Sequence, residues 1–137
     1  MAIQDTLDEL VEEFDLLGDW EERYRYVIEL GAGLEPLTEA ERNEANKVRG
    51  CASQVWLVTE SQADGTLRFR GDSDAHIVRG LMAVLLRLLS GRPASEIRDF
   101  DAKAAFARLG LAGALSTQRS NGLAAMAARM VPDAEAG

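Results

Sequence analysis

Val55-Trp56-Leu57-Val58-Thr59, then Asp64-Gly65, then Thr66-Leu67-Arg68-Phe69-Arg70 is the stretch that decides the fold. Its first five residues are β-branched, aromatic or aliphatic, the composition of a buried strand. Asp-Gly is a hairpin turn signal, because glycine accepts the positive φ that a tight turn needs. The last five alternate strictly, placing Leu67 and Phe69 on one face and Arg68 and Arg70 on the other. A β-hairpin is therefore expected, with one face buried and one wet. Residues around Asn46 to Arg49 are available for a short third strand.

Helical patterns flank the hairpin on both sides. Ile3, Leu7, Leu10, Val11 and Phe14 recur at steps of three and four, with Asp8, Glu9, Glu12 and Glu13 opposite. Gly18 stops this helix. Asp19 caps a second, with Glu22 at capping-box spacing, and Trp20, Tyr24, Val27 and Ile28 are its apolar residues. That helix ends near Gly31 or Gly33. The polar segment Glu35 to Lys47, with Pro36, reads mainly as a long connection holding at best one short helix capped by Thr38. After the hairpin, Gly71-Asp72-Ser73-Asp74 is expected to break the sheet and cap a core helix over about Ala75 to Leu89. Gly91 and Pro93 end that helix. Ala94 to Val131 is alanine-rich and helical, broken near Phe100-Asp101, Gly110 and Gly113, with Ser116 capping a last helix to about Met130. The tail Pro132–Gly137 is expected to fray. This order predicts an α+β fold: a small antiparallel sheet with helices packed on one face, in one domain over residues 1–137.

Composition narrows the function. A chain of 137 residues with 47% hydrophobic and 28% charged residues suits one soluble domain. Its single cysteine leaves no internal disulfide, no CxxC pair and no ordinary structural zinc site. A reducing compartment fits such a chain. Met1 to Leu10 carries acids rather than a basic, apolar leader. The apolar run from Leu81 to Leu89 is interrupted by Arg87 and too short to span a bilayer. The cytoplasm is therefore the expected location, with no membrane partner. The net charge of -8 is uneven: residues 1–50 hold 14 acids and 5 Lys/Arg (14 − 5, so -9), and the remainder holds 9 and 10 (so +1). Nucleic acid is disfavoured by that sign. The acidic half reads either as a solvated surface or as a face that meets a basic partner.

Cys51 is the candidate functional residue. It follows Lys47-Val48-Arg49-Gly50 at the end of the polar connection, where Gly50 lets the backbone turn. Arg49 and Lys47 favour the thiolate, the nucleophilic form. The bland alternative is a small buried core residue. Hydrolytic companions are few: one histidine, His76, lies beside Asp74, so a Cys-His-Asp hydrolase is conceivable. No glycine-rich phosphate loop and no metal-ligand spacing occurs, and no cofactor is expected. Arg119 would sit in the first turn of a helix capped by Ser116, where the helix dipole disfavours a cation. Such a residue invites a role in anion binding or partner docking.

The string Val48-Arg49-Gly50-Cys51-Ala52-Ser53-Gln54-Val55-Trp56-Leu57 resembles the V-x-G-C-x-S-x-V-W-L motif of the SufE family of sulfur acceptors. Three further blocks are similar to that family in order. They are Trp20-Glu21-Glu22-Arg23-Tyr24 with Ile28-Glu29-Leu30-Gly31, then Gly71-Asp72-Ser73-Asp74 with Ile77-Val78-Arg79-Gly80-Leu81, then Leu109-Gly110-Leu111 through Arg119-Ser120-Asn121-Gly122-Leu123 with Met126. The resemblance implies a sulfur-transfer accessory protein rather than a stand-alone enzyme. Its donor would be a pyridoxal-phosphate cysteine desulfurase of the SufS or CsdA kind, and its recipient a SufBCD-like iron–sulfur scaffold. Cys51 would then carry the persulfide. Gly50, Ser53, Gln54, Asp74, His76 and Arg119 would border the thiol or the docking surface, although His76 is not part of the motif. A hinge at Gly50 would let the loop swing Cys51 between a sheltered and an exposed position. A plain adaptor with an incidental cysteine is the remaining alternative.

Overall fold

In the computed structural model, residues 3–48, 54–111 and 125–130 are described. Helix α1 (Ile3–Asp15) buries Leu7, Leu10 and Phe14 along its apolar stripe, with Thr6 beside them. Helix α2 (Trp20–Ala32) starts where the sequence places it. Asp19 accepts from the Glu22 amide at 2.9 Å, and the Glu22 carboxylate reaches back to the Gly18 amide at 2.6 Å. Val27 of α2 is fully buried, while Tyr24 and Ile28 are half-buried.

Strands β1 (Val55–Ser61) and β2 (Thr66–Ser73) form the expected antiparallel hairpin, in register from Val55 opposite Ser73 to Ser61 opposite Leu67. Gly65 takes a φ of +86° in the turn, and Asp64 accepts from the Thr66 amide and hydroxyl. Leu57, Leu67 and Phe69 face the core, as the alternation requires. The core helix α3 (His76–Leu89) lies on that face and buries Leu81, Met82, Val84, Leu85, Leu88 and Leu89. Strand β3 (Arg92–Pro93), α4 (Ala94–Arg98), α5 (Ala102–Arg108) and a helical stretch over 125–130 follow. The break before Ala102 and the turn at Gly110 (φ +72°) match the sequence, whereas Gly113 and Ser116 lie outside the described residues. Among the described residues no helix is long and apolar enough to cross a membrane.

Three expectations need correction. The third strand is Arg92–Pro93, paired to β2, and not Asn46 to Arg49. Of the latter stretch, Lys47 makes one isolated bridge to Trp56 on the opposite edge. Second, Gly71-Asp72-Ser73 continues β2 instead of ending it. A Cβ on Gly71 would lie 2.7 Å from the Met82 sulfur of α3, so that side chain would have to shift. The α3 N-cap is Ala75, with no side-chain cap, and Ser73 instead accepts from the Ala75 amide. Third, the outer face of the hairpin is only partly wet: Arg68 is exposed, but Arg70 is half-buried and Asp72 buried. Arg68, Arg70 and Asp72 point outward at every second position, and the segment 34–48 crosses them as a strap. Glu35 pairs with Arg68 at 2.8 Å, Glu41 with Arg70, and Arg42 with Asp72 at 2.8 Å. Leu37, within this strap, is buried. Thr38 and Glu41 bond each other's amides, so the segment turns without forming a helix.

Candidate functional site

Gly50, Cys51 and Ser53 lie in the link 49–53, and Arg119 in 112–124; both lie outside the described residues. The two ends of the Cys51 link are described, and both are held tightly. At the upstream end, the Val48 amide donates to the Val55 carbonyl at 2.8 Å and the Leu57 amide to the Asn46 carbonyl at 2.8 Å. At the downstream end, the Gln54 amide donates to the Asp74 carboxylate at 3.1 Å, and the Asp74 amide to the Gln54 carbonyl at 3.2 Å. Two residues singled out in the sequence, Gln54 and Asp74, are thus brought into contact. His76 stands exposed at the first position of α3, and no hydrogen bond joins it to Asp74. One of the two Asp74 carboxylate oxygens accepts from the Gln54 amide.

Beside these ends lies an ionic cluster centred on Asp72, a largely buried carboxylate opposite Trp56 in the sheet. One of its oxygens accepts from Arg42 at 2.8 Å. The other accepts from the Ser73 amide at 2.8 Å and faces Arg79 Nε at 3.0 Å. The Arg79 contact is an ion pair outside hydrogen-bond geometry, since Arg79 Nε is buried without a hydrogen-bonded partner. Arg42 also lies over the Trp56 ring, 6.0 Å from its centroid. A cleft of about 380 Å³ opens among Arg42, Trp56, Asp72, Asp74 and Arg79. One carboxylate therefore ties the strap, β2 and α3 together, two residues from Asp74, which holds Gln54. A buried charge shared this way is costly to leave with a partner removed. In the sequence Asp72 read only as part of a sheet break and a family-like block, and Arg42 had no reading: their pairing spans 30 residues and leaves no local signature. The same holds for Arg129, whose guanidinium reaches the carbonyls of Ala45 and Lys47.

The chain is thus of the α+β class, with a short link pinned at both ends beside the start of its central helix. Residues 8–134 match the family model described as SufE, Fe-S metabolism associated domain, and the chain belongs to the SufE family. It is 53% identical to the "Uncharacterized SufE-like protein" of Rhizobium etli over 133 residues, covering 95% of this chain and 90% of the relative. Its identity to the Rhizobium meliloti protein of the same description is 51%, covering 95% of each. The fold is similar to the solution structure of a hypothetical protein from Thermus thermophilus. That similarity has a TM-score of 0.76 at 20% identity, covering 96% of this chain and 97% of that one. The family's description associates its domain with iron–sulfur metabolism.

Proposed function

We propose that this protein is a sulfur carrier that accepts sulfane sulfur on Cys51 from a cysteine desulfurase and delivers it for iron–sulfur cluster assembly in the cytoplasm. The observation that carries this reading is the SufE-type string from Val48 to Leu57, centred on the only cysteine of a SufE-family chain. The Cys51 thiolate attacks the outer sulfur of the donor's persulfide. A sulfur–sulfur bond forms at Cys51, the donor's own sulfur–sulfur bond breaks, and the donor cysteine leaves as a thiolate. The exchange is redox-neutral and needs no metal or cofactor on the carrier. Its requirement is geometric: one nucleophile presented to another protein's active site. A link with both ends fixed to the sheet and to Asp74 supports that requirement.

Intact-mass measurement after incubation with a desulfurase and free cysteine tests the reading. The expected result is a gain of one sulfur atom, removed by reductant and absent in Cys51→Ser. Stimulation of the desulfurase that survives in Cys51→Ser would instead leave an adaptor with an incidental thiol.

A further inference from the structure

We propose that Arg129 is a positioning residue for sulfur transfer, holding the stem from which the Cys51 link springs; this rests on the carrier reading above. The stem, residues 45–48, uses one edge against β1, through the Asn46 carbonyl and the Val48 amide. The Ala45 and Lys47 carbonyls face away from that pairing, and no further strand lies beyond them among the described residues. Arg129 takes the place of such a strand. Its Nη2 donates to the Ala45 carbonyl at 2.6 Å and its Nη1 to the Lys47 carbonyl at 3.2 Å.

The clamp is set on firm ground. Arg129 belongs to the helical stretch 125–130, whose Met126 and Met130 are buried in the core at 1% and 0% exposure. Those two methionines are four residues apart and share one helix face, which fixes how the intervening guanidinium is aimed. A planar, always-charged fork can serve two carbonyls together, whereas a lysine ammonium presents a single point charge. The contact joins groups 82 and 84 residues apart, so the last described helix and the base of the Cys51 link are held as one unit. Placement matters in this reaction because attack requires the two sulfurs at near-contact distance, and a small misplacement costs rate steeply. In this proposal Arg129 acts through the stem, by its bonds to the Ala45 and Lys47 carbonyls.

The test compares full-length wild type, Arg129→Ala and Arg129→Lys in two measurements. The first is amide exchange at Val48 and Leu57, without partner. The second is the KM-against-kcat split for sulfur uptake from a desulfurase. Arg129→Ala is expected to speed exchange at both amides about tenfold, with α3 amides unchanged, since charge-assisted bonds are lost at one place only. It is also expected to raise the KM for the carrier about fivefold while leaving kcat within about twofold. Arg129→Lys is expected to restore the KM in part. Equal KM and equal exchange in wild type and Arg129→Ala, with sulfur taken up by both, overturn the positioning role and leave the carrier reading intact. A uniform rise in exchange across α3 means a structural role only and overturns it too. If the alanine variant does not fold, the lysine variant decides: a wild-type KM and wild-type exchange at Val48 overturn the proposal. Absence of sulfur uptake by wild type defeats the carrier reading itself, and the positioning role with it.

Discussion

Glu41 shows how a single residue of the strap holds it to β2. Its carboxyl is held at about 2, well below its ordinary 4.5, chiefly by the Arg70 guanidinium and then by the Thr38 amide. A carboxyl whose pKa is depressed by folding contributes stability that is fully present above its unfolded value and is lost as the pH falls through its folded one. The window is therefore from about 4.5 down to about 2. Thermal unfolding as a function of pH checks this. Glu41→Gln is expected to be the less stable protein at neutral pH, with the two curves converging as the pH falls towards 2. A gap that stays constant down to that pH means the ion pair is not its source. Asp8, beside Arg108, and Asp64, bonded to Thr66, are also depressed and lower both curves together. Cys51 was legible as a candidate because its neighbours form a contiguous string, and a sequence displays strings directly. Arg42 and Arg129 were not, because each acts across 30 or more residues through pairings that only the folded chain creates.

At the level of elements, the sequence announced the helices and the hairpin through their periods but not what lies between them. β3 has two residues, one of them proline, too short for any period to register. The strap 34–48 looked like an ordinary connection because its order comes from charges on β2 rather than from its own pattern. The contact between α2 and α3 was similarly hidden, in two glycines: Gly31, which read as a helix stop, and Gly80, which carried no reading of its own. A Cβ on Gly80 would fall on the Val27 carbonyl oxygen, and one on Gly31 would lie 2.6 Å from the Gly80 nitrogen. These obstacles are backbone and cannot swing aside, so the helices would have to part. Gly80→Ala is accordingly expected to lower the melting temperature by roughly 5–10 °C, the scale of an overpacked core in a chain this size. Gly33→Ala is the matched control. Gly33 has an ordinary φ of -87° and its nearest neighbour would be 3.5 Å from the new Cβ, so little change is expected. Equal losses in both variants, measured by thermal unfolding, rule out the close helix approach as the cause.

Over the whole molecule, the lopsided charge of the sequence turns out to be partly internal. Asp8, Glu13, Glu35 and Glu41 of the acidic half pair with Arg108, Arg87, Arg68 and Arg70 of the other. The acidity is thus neither simply solvated nor wholly free for a partner, and each exposed pair contributes at most modestly. The larger tie between the two halves is apolar. One buried cluster runs from Leu7 and Phe14 of α1, through Leu57 and Phe69 of the hairpin and Leu85 of α3, to Phe106, Met126 and Met130. None of these elements could lose its place without opening that cluster. We therefore expect residues 1–137 to unfold as one cooperative unit. Scanning calorimetry should give a single transition with equal calorimetric and van't Hoff enthalpies, of about 95 kcal/mol near 60 °C from the usual per-residue value. Leu10→Ala and Met130→Ala, at opposite ends of the chain, should each move the whole transition downward, by about 2–5 kcal/mol in stability. A second, separate transition in either variant would show that the C-terminal helices fold apart from the hairpin.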